Sequence, residues 1–498
     1  MASHPSQEET ILCGIDLGSN SFHMVVARVG KSGRFTFIDR RKEYVRLAAG
    51  LRKDGSLKKG TRERALACLS RFGDRLQMIP ERNVRVVGTN TFRKAKDPEF
   101  FAQAEAAVGK SIHVVSGNEE ARLVYRGVGF SVQEEGVRLV VDIGGGSTEF
   151  ILGEEDDILE TASHYCGCVS WTLRFFKEGK LKREYFEKAI MAARRETGND
   201  VRRFRGKYEI ALGSSGTINA IERAVTSLGF SDEGITSDSL EKLQKFLCDA
   251  GQISKVELPL ISEERKQVLP GGLAILRGIF RTLGVERMRA VPTALREGIL
   301  LDLWGRKQNQ DIRQLTVNMM QERFEVDVDQ ANRVQQTALQ LFDACAEGMD
   351  IPVHPFRNWL RYASAIHEIG LFLGFSGYHK HGAYLLANGE IAGFSWQEQR
   401  ALAALVMGHR GKFDPGRMSQ LKPGREMPLE LVLILRVARR LHRRRSPRPL
   451  PEIRAEGSPG YLKLEFPGDW LTDRPLTIAD LSQEQVLIEP YGLTLEFS

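Results

Sequence analysis

Asp142-Ile143-Gly144-Gly145-Gly146-Ser147-Thr148 closes one apolar run, Val137-Arg138-Leu139-Val140-Val141, and opens another, Glu149-Phe150-Ile151-Leu152. A strand that ends on an acid, turns through glycines and serine and returns as a strand exposes backbone N–H groups at the turn. The order occurs earlier too. Ile11-Leu12-Cys13-Gly14-Ile15 runs into Asp16-Leu17-Gly18-Ser19-Asn20-Ser21, and Phe22 to Val29 reads as the next strand. A third glycine turn, Gly213-Ser214-Ser215-Gly216-Thr217, follows the strand pattern Tyr208 to Leu212 and opens a helix at Ile218. Between these, Arg62 to Met78 has helical spacing, Val84 to Gly88 and Ile112 to Val115 read as short strands, and Ser116 starts a helix. Two related α/β domains facing one another across a cleft account for the repeat.

Past Trp304 the pattern turns helical. Ile312 to Glu347, Trp359 to Leu373, Gln397 to Val406 and Leu429 to Arg445 have helical spacing, and six of the ten histidines lie from His354 onward. Pro447, Pro449 and Pro451 then interrupt the chain, and Tyr461 to Phe466 and Leu493 to Phe497 alternate as strands. The expected division is 1–125 and 126–305 for the α/β pair, 306–446 for a helical domain and 447–498 for a small β-containing module.

Composition sets the class. The chain has 498 residues, 42% of them hydrophobic and 27% charged, with a net charge of +7. That suits several folded domains and a polyanionic partner without naming one. No apolar run is long enough to span a bilayer. The polar first residues do not resemble a signal peptide, so a cytoplasmic location is expected, with peripheral contact to an anionic inner membrane face as the alternative. The six scattered cysteines fit reduced, buried thiols.

Chemistry concentrates in the turns. Gly18, Ser19, Asn20 and Ser21, then Gly144, Gly145, Gly146, Ser147 and Thr148, then Gly213, Ser214, Ser215, Gly216 and Thr217 are candidate phosphate contacts, through backbone N–H, hydroxyl and amide donors. Asp16 and Asp142 end strands, where a carboxylate can hold Mg²⁺ directly or through water. Phosphoryl transfer needs charge neutralisation and an in-line water, and Asp142 and Glu149 are the candidates for positioning both; Asp16, Asp142 and Glu149 form the expected metal set. Ser116 and Glu119 fit a capping box, which explains Glu119 but not Glu120.

Asp16 to Met24, Ser116 to Arg122, Asp142 to Glu149, Gly213 to Thr217, Ser262 to Arg265 and Ala294 to Gly298 together resemble the exopolyphosphatase/guanosine pentaphosphate phosphohydrolase family, over nearly the whole chain. The resemblance implies actin-like ATPase-type (ribonuclease H-like) folds for the two α/β domains. It assigns the catalytic glutamate to Glu120, as the base for the attacking water, and makes Arg93 a phosphate-binding arginine; Arg296 is a weaker candidate. Mg²⁺ is the expected cofactor, with K⁺ allowed beside it, and a homodimer is the expected assembly. The helical part resembles an HD phosphohydrolase domain, with Glu368 after His367 where a metal-binding aspartate is usual. His379, His381, Arg439, Arg440 and Arg443 are candidate polyphosphate contacts. The expected activity is processive removal of terminal phosphate from inorganic polyphosphate; the alternative is conversion of guanosine pentaphosphate to the tetraphosphate. A kinase on the same fold would need an adenosine pocket. No nucleic-acid partner is expected, because the chain has no base-stacking motif.

Overall fold

The computed structural model describes residues 10–30, 34–132, 134–307, 311–389, 391–421 and 427–498. The chain divides into two compact units, Met1–Asp311 and Ile312–Ser498.

The first unit contains two sheets of matching plan. Strands β1 (Thr10–Leu17), β2 (Phe22–Val29), β3 (Phe35–Glu43), β4 (Val84–Gly88) and β5 (Ile112–Val114) form the first, in the order β3-β2-β1-β4-β5. Strands β6 (Val137–Ile143), β7 (Thr148–Glu154), β8 (Asp157–His164), β9 (Ile210–Ser214), β10 (Ile235–Thr236) and β11 (Arg287–Ala290) form the second, in the order β10-β11-β9-β6-β7-β8. In each sheet the opening three strands pair antiparallel and the first strand pairs parallel with the next along the chain. Register confirms the repeat: Asp16 pairs with His23 across β1 and β2, and Asp142 pairs with Glu149 across β6 and β7. A parallel pair needs a crossover, so both aspartates stand at the carboxyl ends of strands, where α/β sheets place ligands.

Helix Gly117–Gly129 joins the two halves. Ser116 Oγ accepts from the backbone N–H of Glu119 (3.1 Å), as the capping pattern predicts, while the Glu119 carboxylate is taken up by Arg122. Ala121, Leu123, Val124, Tyr125 and Val128 share a core cluster with Val140, Ile151 and Leu212 of the second sheet and with Leu295 and Ile299. Helix Leu295–Lys307 then lays Leu300 and Leu303 against Leu12, Val25 and Ala27 of the first sheet. The divisions expected at 125 and 305 therefore fall inside helices, because both segments fasten the halves together.

The second unit is mainly helical and has one core. Strands β12 (Arg454–Ser458), β13 (Tyr461–Glu465) and β14 (Thr494–Phe497) make a small sheet with helix Pro475–Ile488 between its last two strands. Leu462, Leu464, Leu481 and Leu495 belong to the same cluster as Leu341, Leu402 and Leu433. So the residues expected as a small module at 447–498 share the core of the helical part. Among the described residues, no helix is long and apolar enough to cross a membrane. All six cysteines are free, and five are buried.

A buried ion cluster holds the first unit's joints. Asp302 bonds Arg85 of β4, Arg122 and, at 2.8 Å, Arg306; Glu119 bonds Arg122 at 2.7 and 2.8 Å. The surrounding arginines hold the Asp302 carboxyl well below its ordinary range despite burial. A depressed carboxylate pKa contributes stability above the unfolded value near 3.9 that is lost as pH falls through the folded one. Removing one member strands opposite charge in the interior, at a cost of about 3–5 kcal/mol. Asp302→Ala should lower unfolding free energy by that order in denaturant titrations at pH 7; a loss under about 1 kcal/mol would show that the cluster is dispensable.

Candidate active site

A cleft of about 660 Å³ opens where the two halves of the first unit meet. Asp16, Gly18, Ser19, Asn20 and Ser21 line one side, Asp142, Gly144, Gly145 and Ser147 another, and Ser215, Gly216 and Thr217 a third, with Glu120 among them. The repeat is visible in detail. A Cβ on Gly18 would stand 2.8 Å from the Ser21 carbonyl, and one on Gly144 would stand 3.2 Å from that of Ser147. Both turns close the same way.

Some glycines serve packing instead. A Cβ on Gly146 would lie 2.1 Å from Asn90 Nδ2, and one on Gly145 would lie 3.0 Å from Asn20 N, so the two turns touch each other there. Gly213 admits Ile218, with 2.4 Å to its Cγ2, and Gly216 admits the Arg265 guanidinium, again at 2.4 Å. Thr148 is fully buried and donates to the Cys166 carbonyl; Ser214 is fully buried and donates to the Thr293 carbonyl at 3.0 Å. Gly146, Thr148, Gly213 and Ser214, all expected to touch phosphate, instead shape the turns from behind. Ser215 holds a left-handed φ of 82°, and its Oγ donates to the Ile143 carbonyl (2.9 Å) while accepting from Thr217 N (3.1 Å). These bonds fix a costly backbone state beside the cleft.

The floor is acidic. Desolvation pushes Asp16 up to about 8 and Asp142 up to about 7; Glu120 raises both further, while Arg296 opposes. Glu149, fully buried beneath them, is pushed well above its ordinary range by burial, then by Glu120 and Asp142. Ser163 Oγ donates to its Oε1 at 3.1 Å. Asp16 Oδ1 is buried with no protein partner. Arg93 does not line the cleft. It donates to Glu120 Oε2 (2.8 Å) and to the Val115 carbonyl (2.9 Å), and so orients the glutamate.

The mouth is basic. Arg40, Arg41, Lys42, Arg223, Arg265 and Arg296 line it, with Tyr44 and Leu260. Lys42 donates to the Tyr44 hydroxyl at 2.7 Å, and Arg265 donates to Thr217 Oγ1 at 3.4 Å. Arg296 Nη1 donates to His23 Nδ1 (3.3 Å), so His23 Nε2–H donates to Ser21 Oγ (2.9 Å). Burial first, then Arg296, hold His23 well below its usual value, so the ring is neutral. Of the cations at the mouth, the sequence gives a role only to Arg296. A signal existed in Ser262-Glu263-Glu264-Arg265, whose arginine reaches the third turn.

The remaining candidates lie in the second unit. Arg440 bonds Glu484 at 2.6 Å and Asp480 at 3.0 Å, Arg443 bonds Asp480, and Arg436 is buried on Glu484 at 2.7 Å. They do not form a free polyanion track. Glu368 is held by Arg445 through both oxygens, at 2.6 and 2.7 Å. Among the described residues, no three His, Cys, Asp or Glu side chains are grouped to hold a metal. His379 is half-buried and His381 partly so.

A duplicated α/β unit with facing glycine turns, an acidic floor and a basic mouth is a phosphohydrolase framework. The chain belongs to the Ppx/GppA phosphatase family, hydrolases acting on phosphoanhydride bonds. The family pattern matches residues 25–307, and that of its domain III matches residues 312–485. The chain is 38% identical to the guanosine-5′-triphosphate,3′-diphosphate pyrophosphatase of Pseudoalteromonas translucida, over 96% of each chain. It is 36% identical to the protein of that name from Aeromonas hydrophila, over 95% of this chain and 96% of the other. The fold resembles that of an exopolyphosphatase from Cytophaga hutchinsonii: 20% identity, TM-score 0.54, over 60% of this chain and 98% of that one.

Turn-to-turn contact at Gly146 should be essential. Gly146→Ala should push Asn90 and the first turn away, lowering phosphate-release turnover by on the order of 10-fold or more, as small displacements from reacting geometry do. Wild-type turnover in this variant would refute the close packing.

Proposed function

We propose that this chain removes the 5′-terminal phosphate of guanosine 5′-triphosphate 3′-diphosphate. The observation that carries the reading is the likeness over nearly the full length to two proteins named guanosine-5′-triphosphate,3′-diphosphate pyrophosphatase. The cleft is consistent with it: an acidic floor for the scissile phosphate, with Tyr44 and cations at the mouth for the base and the 3′-diphosphate. The polyphosphate preference expected from the arginine-rich stretch loses support, since Arg436, Arg440 and Arg443 are engaged within the second unit.

Glu120 acts as the base. Arg93 fixes Oε2, and Oε1, which has no protein partner among the described residues, accepts the proton of the attacking water. The water oxygen bonds to the terminal phosphorus as the bridging bond to the next phosphate breaks; orthophosphate leaves and a 5′-diphosphate remains. Ser19, Asn20, Ser147 and Thr217 line the cleft and in this reading hold the phosphate oxygens as charge shifts onto them. Asp16 and Asp142 suit Mg²⁺, which uses one or two carboxylates and completes its shell with waters and substrate phosphate; the unpartnered Asp16 Oδ1 supports this. Such an ion supplies charge neutralisation at the transferring group.

Three results test the reading. The kcat/KM for guanosine pentaphosphate should exceed that for long polyphosphate under the same Mg²⁺ and salt; the reverse order would overturn the substrate assignment. Glu120→Gln should lose roughly 10²–10⁴-fold in kcat with little change in KM, and near-normal turnover would remove it from the mechanism. Without metal, carboxylates raised to about 8 and about 7 favour the folded state only while protonated, so stability falls as pH rises from about 4 to about 8. Added Mg²⁺ should therefore raise Tm more at pH 8 than at pH 6, and should lose that effect in Asp16→Asn. Equal shifts at both pH values would reject the site.

A further inference from the structure

The second unit buries three polar atoms with no protein partner in one group of side chains: His367 Nε2, His379 Nδ1 and Arg439 Nε. His409 stands among them, its ring centroid 5.2 Å from that of His367, 5.5 Å from Tyr378 and 6.3 Å from His379. Four helical segments contribute, so the grouping belongs to the fold and not to one loop.

Hydrogen bonding fixes what this group presents. His367 and His409 donate Nδ1–H to the Ser364 and Val406 carbonyls at 2.7 and 2.6 Å. Each neutral ring then presents a lone pair at Nε2. Tyr378 reaches that of His409 only at 3.4 Å, and that of His367 has no hydrogen-bond partner, the Glu368 Oε1 standing 4.0 Å away. These imidazoles are not among any group of three His, Cys, Asp or Glu side chains arranged to hold a metal among the described residues, and the adjacent Glu368 is held by Arg445 through both oxygens. The charge available here is positive. Arg439 makes no hydrogen bond or ion pair among the described residues, unlike Arg436, Arg440 and Arg443, and its charge acts on Tyr378, His367 and His409. Arg410 lies over the Tyr378 ring at 4.5 Å.

A ligand satisfying these groups must be an anion for Arg439 and also a donor for the imidazole lone pairs. We propose that the second unit binds a protonated phosphate group here, its O⁻ on Arg439 and its P–OH on His367 or His409, through residues none of which lines the catalytic cleft. Sulfate has the shape and charge but no acidic hydrogen at neutral pH, so the site should discriminate against it. Orthophosphate and a phosphomonoester share the required chemistry.

The test is histidine NMR on full-length Glu120→Gln protein labelled with ¹³C-histidine. Orthophosphate, guanosine 5′-monophosphate and sulfate are titrated separately. The His367, His379 and His409 signals should move together and saturate with orthophosphate, and sulfate should bind on the order of 10-fold more weakly, the worth of a hydrogen bond to a charged group. Movement with orthophosphate alone assigns free phosphate; stronger movement with the monophosphate assigns a phosphomonoester. Arg439→Gln should abolish the response, and the half-buried His379→Ala should weaken binding on the order of 10-fold. Movement confined to His23, equal affinity for sulfate, or an unchanged response in either variant would overturn the site.

Discussion

The Asp302 carboxylate, buried against Arg85, Arg122 and Arg306, is the contact on which the first unit's geometry depends. These partners lie on β4 and on the two helices that join the halves. Charges so deeply buried tolerate little movement, because any separation leaves one of them unsolvated and unpaired. Glu119 extends the cluster by one residue along helix Gly117–Gly129, and Glu120 is its neighbour on that helix. The next residue's side chain turns by about 100°, which takes it out of the cluster and into the cleft. The bland explanation of the glutamate pair and the functional one are thus both right, one for each residue.

Duplication accounts for the rest of the floor. Asp16 and Asp142 occupy equivalent strand ends, but their cross-strand partners differ, His23 in the first half and Glu149 in the second. Two identical halves would have gathered still more carboxylate in one desolvated place. The neutral His23, held between Arg296 and Ser21, relieves one side of that repulsion. The remaining acids carry raised pKa values, the physical sign of a site suited to a cation.

Much of the fold was legible because the two hairpins repeat a short pattern. Val84–Gly88 was read to the residue, and β6 to within two. Strand β3 was not read: Phe35-Thr36-Phe37-Ile38 alternates, but the strand continues into Asp39-Arg40-Arg41-Lys42-Glu43, a charge run that looks like a solvated loop. Its basic end lines the cleft mouth, so missing the strand also hid Arg41, Lys42 and Tyr44. Glycines misled differently. Pattern alone does not separate a glycine that admits phosphate from one that admits Ile218 or Asn90, because the same absent Cβ serves both.

The arginines near the end of the chain make the same point for charge. Counted along the sequence, Arg436, Arg439, Arg440 and Arg443 look like a surface field for a polyanion. Placed in the fold, Arg436 is fully buried on Glu484, and Arg440 and Arg443 share Asp480. A guanidinium neutralised by a carboxylate at hydrogen-bonding distance contributes little potential beyond a few ångströms, and salt screens the remainder. Net charge therefore says less about this protein's partners than which cations keep an unspent donor. In the second unit the partly buried Arg439 is one that does.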